Sequence, residues 1–200
     1  MNRLLVLYPE QFKCQSKFSR KVSNITSAML GGTVVFLDDP NAYIYDFFER
    51  KDGWELSQQK NVDNIDISHA IVFDDGEEFS TEYAYLVSKK IPLRRIGIPI
   101  TRVVNIKNET KYQSIKISTK YEYIGRGSYW GNPHSMYEVG VDREEVIRKY
   151  KYDFDYEKFP NKEKSEVFKL AGKRLGCFCK PLSCHGDILA DYLNSWDDGK

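Results

Sequence analysis

Residues 68–98 read SHAIVFDDGEEFSTEYAYLVSKKIPLRRIGI, and the order of properties along them decides the fold. Ala70-Ile71-Val72-Phe73 is an unbroken apolar run closed at once by Asp74-Asp75-Gly76, after which Ser80–Lys90 has helical character and Leu93–Ile98 returns to strand-like residues. A strand without polar alternation has to be covered on both faces, which a parallel sheet flanked by helices provides. The same order occurs twice upstream. Arg3–Tyr8 is an apolar run ended by Pro9 and followed by a helical stretch, Ser19–Leu30, with Val22, Ile25, Met29 and Leu30 at helical spacing and Gly31-Gly32 as its stop. Thr33–Leu37 is closed by Asp38-Asp39-Pro40 and leads to a helix over Ala42–Arg50, with Tyr43, Phe47 and Phe48 inward; Gln58–Asp66 reads as a loop.

The repeated alternation makes residues 1–108 a small doubly wound parallel-sheet (Rossmannoid) domain of α/β class, followed by a second small α/β domain over 109–200. Such sheets take ligands at the carboxyl ends of their strands. Two runs, VVFLDD (34–39) and AIVFDDG (70–76), put paired acids on that rim. An aspartate after a strand is also ordinary turn or helix-cap chemistry, so both readings stand for each pair. Ser80-Thr81-Glu82 behind the second pair is an anion-facing helix entrance.

The 68–98 stretch resembles the strand, acidic or Gly-rich turn, Thr-containing helix start and Lys-Lys-Ile-Pro segment of the LOG-like (SLOG) Rossmannoid superfamily. That superfamily includes phosphoribohydrolases, which cut a base from a nucleotide, and sensors of nucleotide-derived ligands. The resemblance implies a nucleotide or nucleotide-like ligand over Gly76–Glu82, with Asp74, Asp75, Gly76, Ser80 and Thr81 as binding residues and Glu82 as a catalytic candidate. Where the phosphoribohydrolases carry Gly-Gly-x-Gly-Thr, this chain has Gly76, Thr81 and Glu82.

In the second domain, GCFCKPLSCHGD (176–187) concentrates three of the four cysteines and one of the three histidines. Arg174–Cys179 reads as a strand whose period of two turns Cys177 and Cys179 to one face and Phe178 to the other. Lys180–Ser183 turns the chain, and Ile188, Leu189, Tyr192 and Leu193 give the last helix an apolar face, so Cys184, His185 and Asp187 fall in its first turn. A helix N-terminus favours thiolate over thiol, which makes Cys184 the expected low-pKa cysteine. Structural zinc asks for four tetrahedral N/S ligands, and neighbouring Cys184 and His185 are hard to aim at one ion. Cys177, Cys179 and one of the later pair then form an open, catalytic-type zinc site. A reactive thiolate without metal and plain packing of small buried cysteines remain alternatives. Asp187 is a helix N-terminal acid or the residue that orients His185.

Upstream, Gly125-Arg126-Gly127-Ser128 allows close backbone approach and, with Asn132, suits a phosphate or carboxylate, Arg126 supplying a bidentate fork. Tyr129 and Trp130 stack on a base or close over a core, and His134 is a candidate general acid or base. YIGRGSYWGNPH (123–134) and GKRLGCFCKPLSCHGDILADYL (172–193) together resemble an uncharacterised bacterial and phage domain family marked by Gly-Arg-x-Ser-x-x-Gly-Asn-Pro and Cys-x-Cys-x-Pro-x-x-Cys-His-Gly-Asp, over residues 113–196. Cys14 and His69 have no partners in sequence and are assigned no role.

A net charge of +1 lacks the global pull on polyanions of a nucleic-acid-coating protein, although local basic patches remain possible. With no long uncharged apolar stretch, the expectation is a cytoplasmic protein, in a bacterium or a phage-infected host, with no membrane partner. Clustered cysteines there point to thiols or metal ligands before disulfides. The function read from these features is an enzyme acting on a nucleotide or nucleotide-derived small molecule, by N-glycosidic cleavage or modification of the base or nucleotide. A non-enzymatic sensor that sequesters a nucleotide signal and a structural zinc module for a nucleic-acid or protein partner are the alternatives.

Overall fold

The computed structural model describes residues 2–135 and 142–200, with the backbone alone at 110. The chain forms two compact units, residues 1–98 with 195–200, and residues 99–194.

In the first unit five strands, β1 (Asn2–Leu7), β2 (Gly32–Phe36), β3 (Trp54–Gln58), β4 (His69–Asp74) and β5 (Leu93–Gly97), form one parallel sheet in the order β3-β2-β1-β4-β5. Leu4–Leu7 and Ala70–Phe73 are buried throughout, as central parallel strands require. On one face Leu5, Leu7, Ala70 and Val72 meet Leu86 of helix α3 (Ser80–Ser88). On the other, Phe73 stacks on Phe12 and on Phe18 of helix α1 (Gln15–Thr26), and Phe18 leans on Tyr43, which opens helix α2 (Tyr43–Phe48). Both faces are covered, so the sheet is doubly wound, and strand order reverses beside β1, between the ends of β1 and β4.

Several local expectations differ from the structure. Helix α1 starts at Gln15, four residues early, and buries Phe18, Val22 and Thr26; Leu30 lies beyond it, 100% exposed. The Gln58–Asp66 loop is preceded by β3, an edge strand with Glu55 and Gln58 outward, which left no apolar run to recognise. Residues 115–118, which read in sequence as strand material, form one antiparallel bridge, Ile117 to Glu122, with Ile115 and Ile117 exposed, so no burial rewards a longer strand among the described residues.

The second unit has a three-stranded parallel sheet, β6 (Arg102–Asn105), β7 (Tyr121–Tyr123) and β8 (Arg174–Cys177), with β8 in the centre. Helix α4 (Arg143–Asp155) is capped by Asp142, whose carboxylate accepts the Glu145 N–H at 2.8 Å. The sequence from Lys162 to Leu170 reads as a helix, and the structure has a 3-10 stretch there, over Lys164–Leu170. Helix α5 (His185–Asn194) ends on a buried pair of bonds: Thr101 N–H to Asn194 Oδ1 at 2.9 Å and Asn194 Nδ2 to Thr101 O at 3.0 Å. Tyr150, Phe154, Val167, Leu170, Leu175 and Leu189 form the core. Among the described residues no helix is long and apolar enough to cross a membrane.

Candidate functional site

Strand β8 runs down the middle of the second sheet and delivers Cys177 at its carboxyl end; the chain then turns, with the Leu182 N–H on the Cys179 carbonyl at 3.0 Å, and returns Cys184 one residue before α5. Cys177, Cys184 and His185 are 5%, 1% and 5% exposed, and their ligating atoms lie within 4.8 Å of one another. Cys177 Sγ and Cys179 Sγ are 3.5 Å apart, but not through the expected strand face, since β8 ends at Cys177 and Cys179 lies in the turn beyond it; Cys184 Sγ is 3.7 Å from His185 Nδ1. The difficulty of aiming Cys184 and His185 together does not arise, because Cys184 stands outside the helix and its side chain is free of the helical rotation between neighbours.

His185 is fixed from behind. Its Nε2 lies 2.9 Å from the Ile124 carbonyl and donates to it, so Nδ1, the nitrogen facing Cys184, keeps its lone pair. The ring packs at an angle of 63° on Tyr150, 4.9 Å between centroids. Burial lowers the His185 pKa and keeps the imidazole neutral, as a metal ligand must be. The thiols titrate as a group. The hydrogen bond from Cys184 pulls Cys177 down to about 5, while that same bond, and then burial, pushes Cys184 up; burial also raises Cys179. The easily ionised thiol is therefore Cys177 rather than Cys184: although the Gly186 N–H reaches Cys184 Sγ at 3.4 Å, Cys184 is the donor within the pair.

In a tetrahedral zinc site with Zn–S of ~2.3 Å and Zn–N of ~2.0 Å, donor atoms stand roughly 3.5–3.8 Å apart. The Cys184–His185 separation of 3.7 Å falls within that spacing and the three donor atoms lie within 4.8 Å of one another, and two sulfurs with a correctly protonated imidazole are zinc-type donors. Cys177, Cys184 and His185 form a Cys/His cluster able to hold a metal, and Cys179 stands beside it.

Cys177, Cys179 and His185 also line a cavity of about 190 Å³ together with Arg126, His134 and Arg143. His134 Nε2 lies 2.7 Å from Asp153 Oδ2 on α4. The Arg143 guanidinium reaches the Ser183 carbonyl at 3.4 Å and sits beside the Cys179 thiol, where its hydrogen bond favours the thiolate. Gly125 and Asn132 belong to the lining as well. Asn132 is held by its own bonds, Nδ2 to the Val146 carbonyl at 3.1 Å and Oδ1 from the His134 N–H at 2.9 Å. Gly127 has φ +83°, a backbone conformation that calls for glycine, in a turn closed by the Ser128 N–H on the Gly125 carbonyl. The Ser128 hydroxyl is buried without a partner. Trp130 is buried in the core and the Tyr129 hydroxyl accepts the Glu163 N–H, so this aromatic pair closes over the core. Asp187 accepts the Cys184 N–H at 2.9 Å and pairs with Lys180 at 2.7 Å; the Ile124 carbonyl, not Asp187, orients His185.

In the first unit the acids on the rim are engaged locally. Asp74 accepts the Gly76 N–H at 2.8 Å and pairs with Arg95, and Asp75 accepts the amides of Glu77 and Glu78. Asp39 takes the Tyr8 hydroxyl and the amides of Ile44 and Tyr45. Ser80, Thr81 and Glu82 form the first turn of α3, and no side chain caps it. Sequence reading missed Arg143, Asp153 and Phe178. Arg143 reads as a helix-start charge and Asp153 as one of many acids on α4; only the return of β8 beside that helix gives them a site.

A doubly wound nucleotide-type unit joined to a small α/β unit with a Cys/His cluster defines the class. The chain belongs to the minimal SLOG (mSLOG) family, whose model matches residues 1–104, and residues 104–195 match a domain of unknown function, DUF4326. The SLOG assignment makes its function nucleotide-related, since SLOG domains are associated with nucleotide-like ligands. The chain is also similar to an uncharacterised 12.4 kDa protein from the nrdA–td intergenic region of Enterobacteria phage T4, 39% identical over 98 residues, covering 42% of this chain and 86% of that protein. No solved structure matches the chain.

Proposed function

We propose that the chain is an enzyme acting on a nucleotide or nucleotide-derived small molecule, with its chemistry in the cavity of the second unit and zinc held by Cys177, Cys184 and His185. The observation that carries this reading is that two of those three clustered donors, Cys177 and His185, line a cavity that also presents His134 and two arginines. Zinc bound there supplies a Lewis acid and a means of activating water at neutral pH. His134, oriented by Asp153, accepts or returns a proton at Nδ1. No aspartate or glutamate lines the cavity among the described residues, so base chemistry there falls to this imidazole rather than to a carboxylate. The first unit binds a nucleotide-like group at the connection from Asp74 to Glu82. That Asp74 and Asp75 are occupied by Arg95 and backbone amides favours recognition over catalysis in that unit, the sensor reading of the same fold.

The test is elemental analysis of freshly purified protein, followed by a turnover screen against nucleotides. Expected are stoichiometric zinc in the wild type, its loss in Cys184→Ser, and turnover that follows the metal. Thermal stabilisation by a nucleotide without any product would move the assignment to a sensor. Zinc whose removal unfolds the protein, with neither turnover nor nucleotide binding, would reduce the site to a structural knuckle.

A further inference from the structure

The cavity beside the thiols has a one-sided charge. Arg126 and Arg143 line it, among the described residues no aspartate or glutamate does, and guanidiniums keep their charge at all ordinary pH. Asp142 caps α4, Glu145 pairs with Arg148 at 2.8 Å, Asp153 holds His134, and Asp187 is shared between the Cys184 N–H and Lys180. Arg143 directs N–H groups to the Ser183 carbonyl, at 3.4 Å and so at the long limit of a hydrogen bond, and to the Cys179 thiol, while a guanidinium carries five donors in a fork suited to tetrahedral oxyanions.

Size and shape narrow the ligand further. The cavity of about 190 Å³ is smaller than the ~300–1,000 Å³ of drug-sized sites, so the part of a ligand it encloses is about the size of a phosphate with a small adjoining group. Phe178 lines it while remaining 52% exposed, an aromatic face for the uncharged body of a ligand whose anionic end is held by arginine.

We infer that Arg126 and Arg143 form a phosphoryl-binding pair, so that the small molecule taken up beside Cys177 and His185 is a phosphorylated one, held by its phosphate with its body against Phe178. This deepens the proposed function and rests on its choice of cavity, but not on turnover. It also gives the second unit a phosphate site of its own, apart from whatever the first unit binds.

Titration calorimetry on the full chain tests it, with inorganic phosphate, ribose 5-phosphate, nucleoside monophosphates and the parent nucleosides as probes, and acetate as a carboxylate control. Phosphorylated probes are expected to bind, and to bind at least about tenfold more tightly than their nucleosides, since charge-assisted bonds contribute more than neutral ones. Arg143→Ala and Arg126→Ala should each weaken the monophosphate by at least about tenfold, with Arg143→Lys, which keeps the charge but not the fork, in between. Phe178→Ala should weaken the monophosphate while leaving inorganic phosphate unchanged. Nucleosides binding as tightly as monophosphates, acetate competing as well as phosphate, or arginine variants with undiminished binding would overturn the assignment. Cys184→Ser separates the two readings: phosphate binding kept with no turnover in any form of the protein leaves this inference standing and removes the enzyme, whereas turnover without phosphate binding does the reverse.

Discussion

His134 Nε2 and Asp153 Oδ2 stand 2.7 Å apart and tie the segment after Asn132 to α4. A carboxylate only accepts, so Nε2 carries a proton, and in the neutral ring Nδ1 then holds the lone pair that a proton acceptor needs. In Asp153→Asn the amide can donate as well as accept, and the tautomer is no longer imposed. Long-range proton–nitrogen spectra should show His134 protonated at Nε2 in the wild type and averaged between tautomers in the variant, with turnover down by about ten- to a hundredfold. The pair is partly exposed, 29% and 20%, so the variant should lose no more than about 1 kcal/mol of stability. Identical histidine spectra in both proteins would refute the positioning role.

Gly176, one residue before Cys177, is enclosed by the Tyr121 ring: a Cβ there would overlap Tyr121 Oη, Cζ and Cε2. The ring is 1% exposed and stacked on Tyr112 at 4.4 Å, so it has little room to retreat. Gly176→Ala should cost about 1–3 kcal/mol and lower the melting temperature by several degrees. An unchanged melting curve would show that the strand can shift, and with it the position of Cys177.

The sheet of the first unit was legible because its information is local. Leu4–Leu7 and Ala70–Phe73 are apolar on both faces, which only a covered parallel strand tolerates, and their stops, Pro9 after the first and Asp74-Asp75-Gly76 after the second, follow closely. Edge strand β3 and strand β6 carry no such run; pairing, not composition, makes them strands. At the site, the apolar face of α5 placed Cys184 and His185 at its start, whereas Cys179 meets Cys177 from the turn after β8 and not from the strand expected over Arg174–Cys179. The Ile124 carbonyl behind His185 could not be read, since any residue offers a carbonyl, and Arg143 reaches Cys179 across a sequence gap that no motif spans.

Cys177, Cys184 and His185 converge within 4.8 Å, whereas Cys179 stands at the edge of the cluster, in contact with Cys177 and Cys184 and facing Arg143. Cys177→Ser and Cys184→Ser should each lose zinc on dialysis, while Cys179→Ser should retain about one equivalent by elemental analysis. Zinc lost equally from all three variants would make Cys179 a fourth ligand and close the site to substrate.

The carboxyl-terminal residues are clasped to α1 by charge. Asp197 accepts both Arg20 nitrogens, at 2.8 and 2.9 Å, and the Ser16 hydroxyl at 2.6 Å, and Asp198 takes the Lys17 ammonium at 2.8 Å. The Arg20 guanidinium holds Asp197 well below the usual carboxylate range, and the Lys17 bond lowers Asp198. A depressed carboxylate stabilises the docked state above its ordinary pKa of about 3.8, and that contribution is lost as pH falls below it. The clasp should thus be intact from neutral pH to about pH 4.5 and released in stronger acid. Chemical shifts of the Gly199 and Lys200 amides, which donate to Asp197 and Asp198, report it directly. They should hold constant to that point and then move towards random-coil values, whereas Asp197→Asn should show the released pattern of Gly199 already at neutral pH. Shifts that move with pH between 7 and 5 would mean that some group other than these two carboxylates controls the tail.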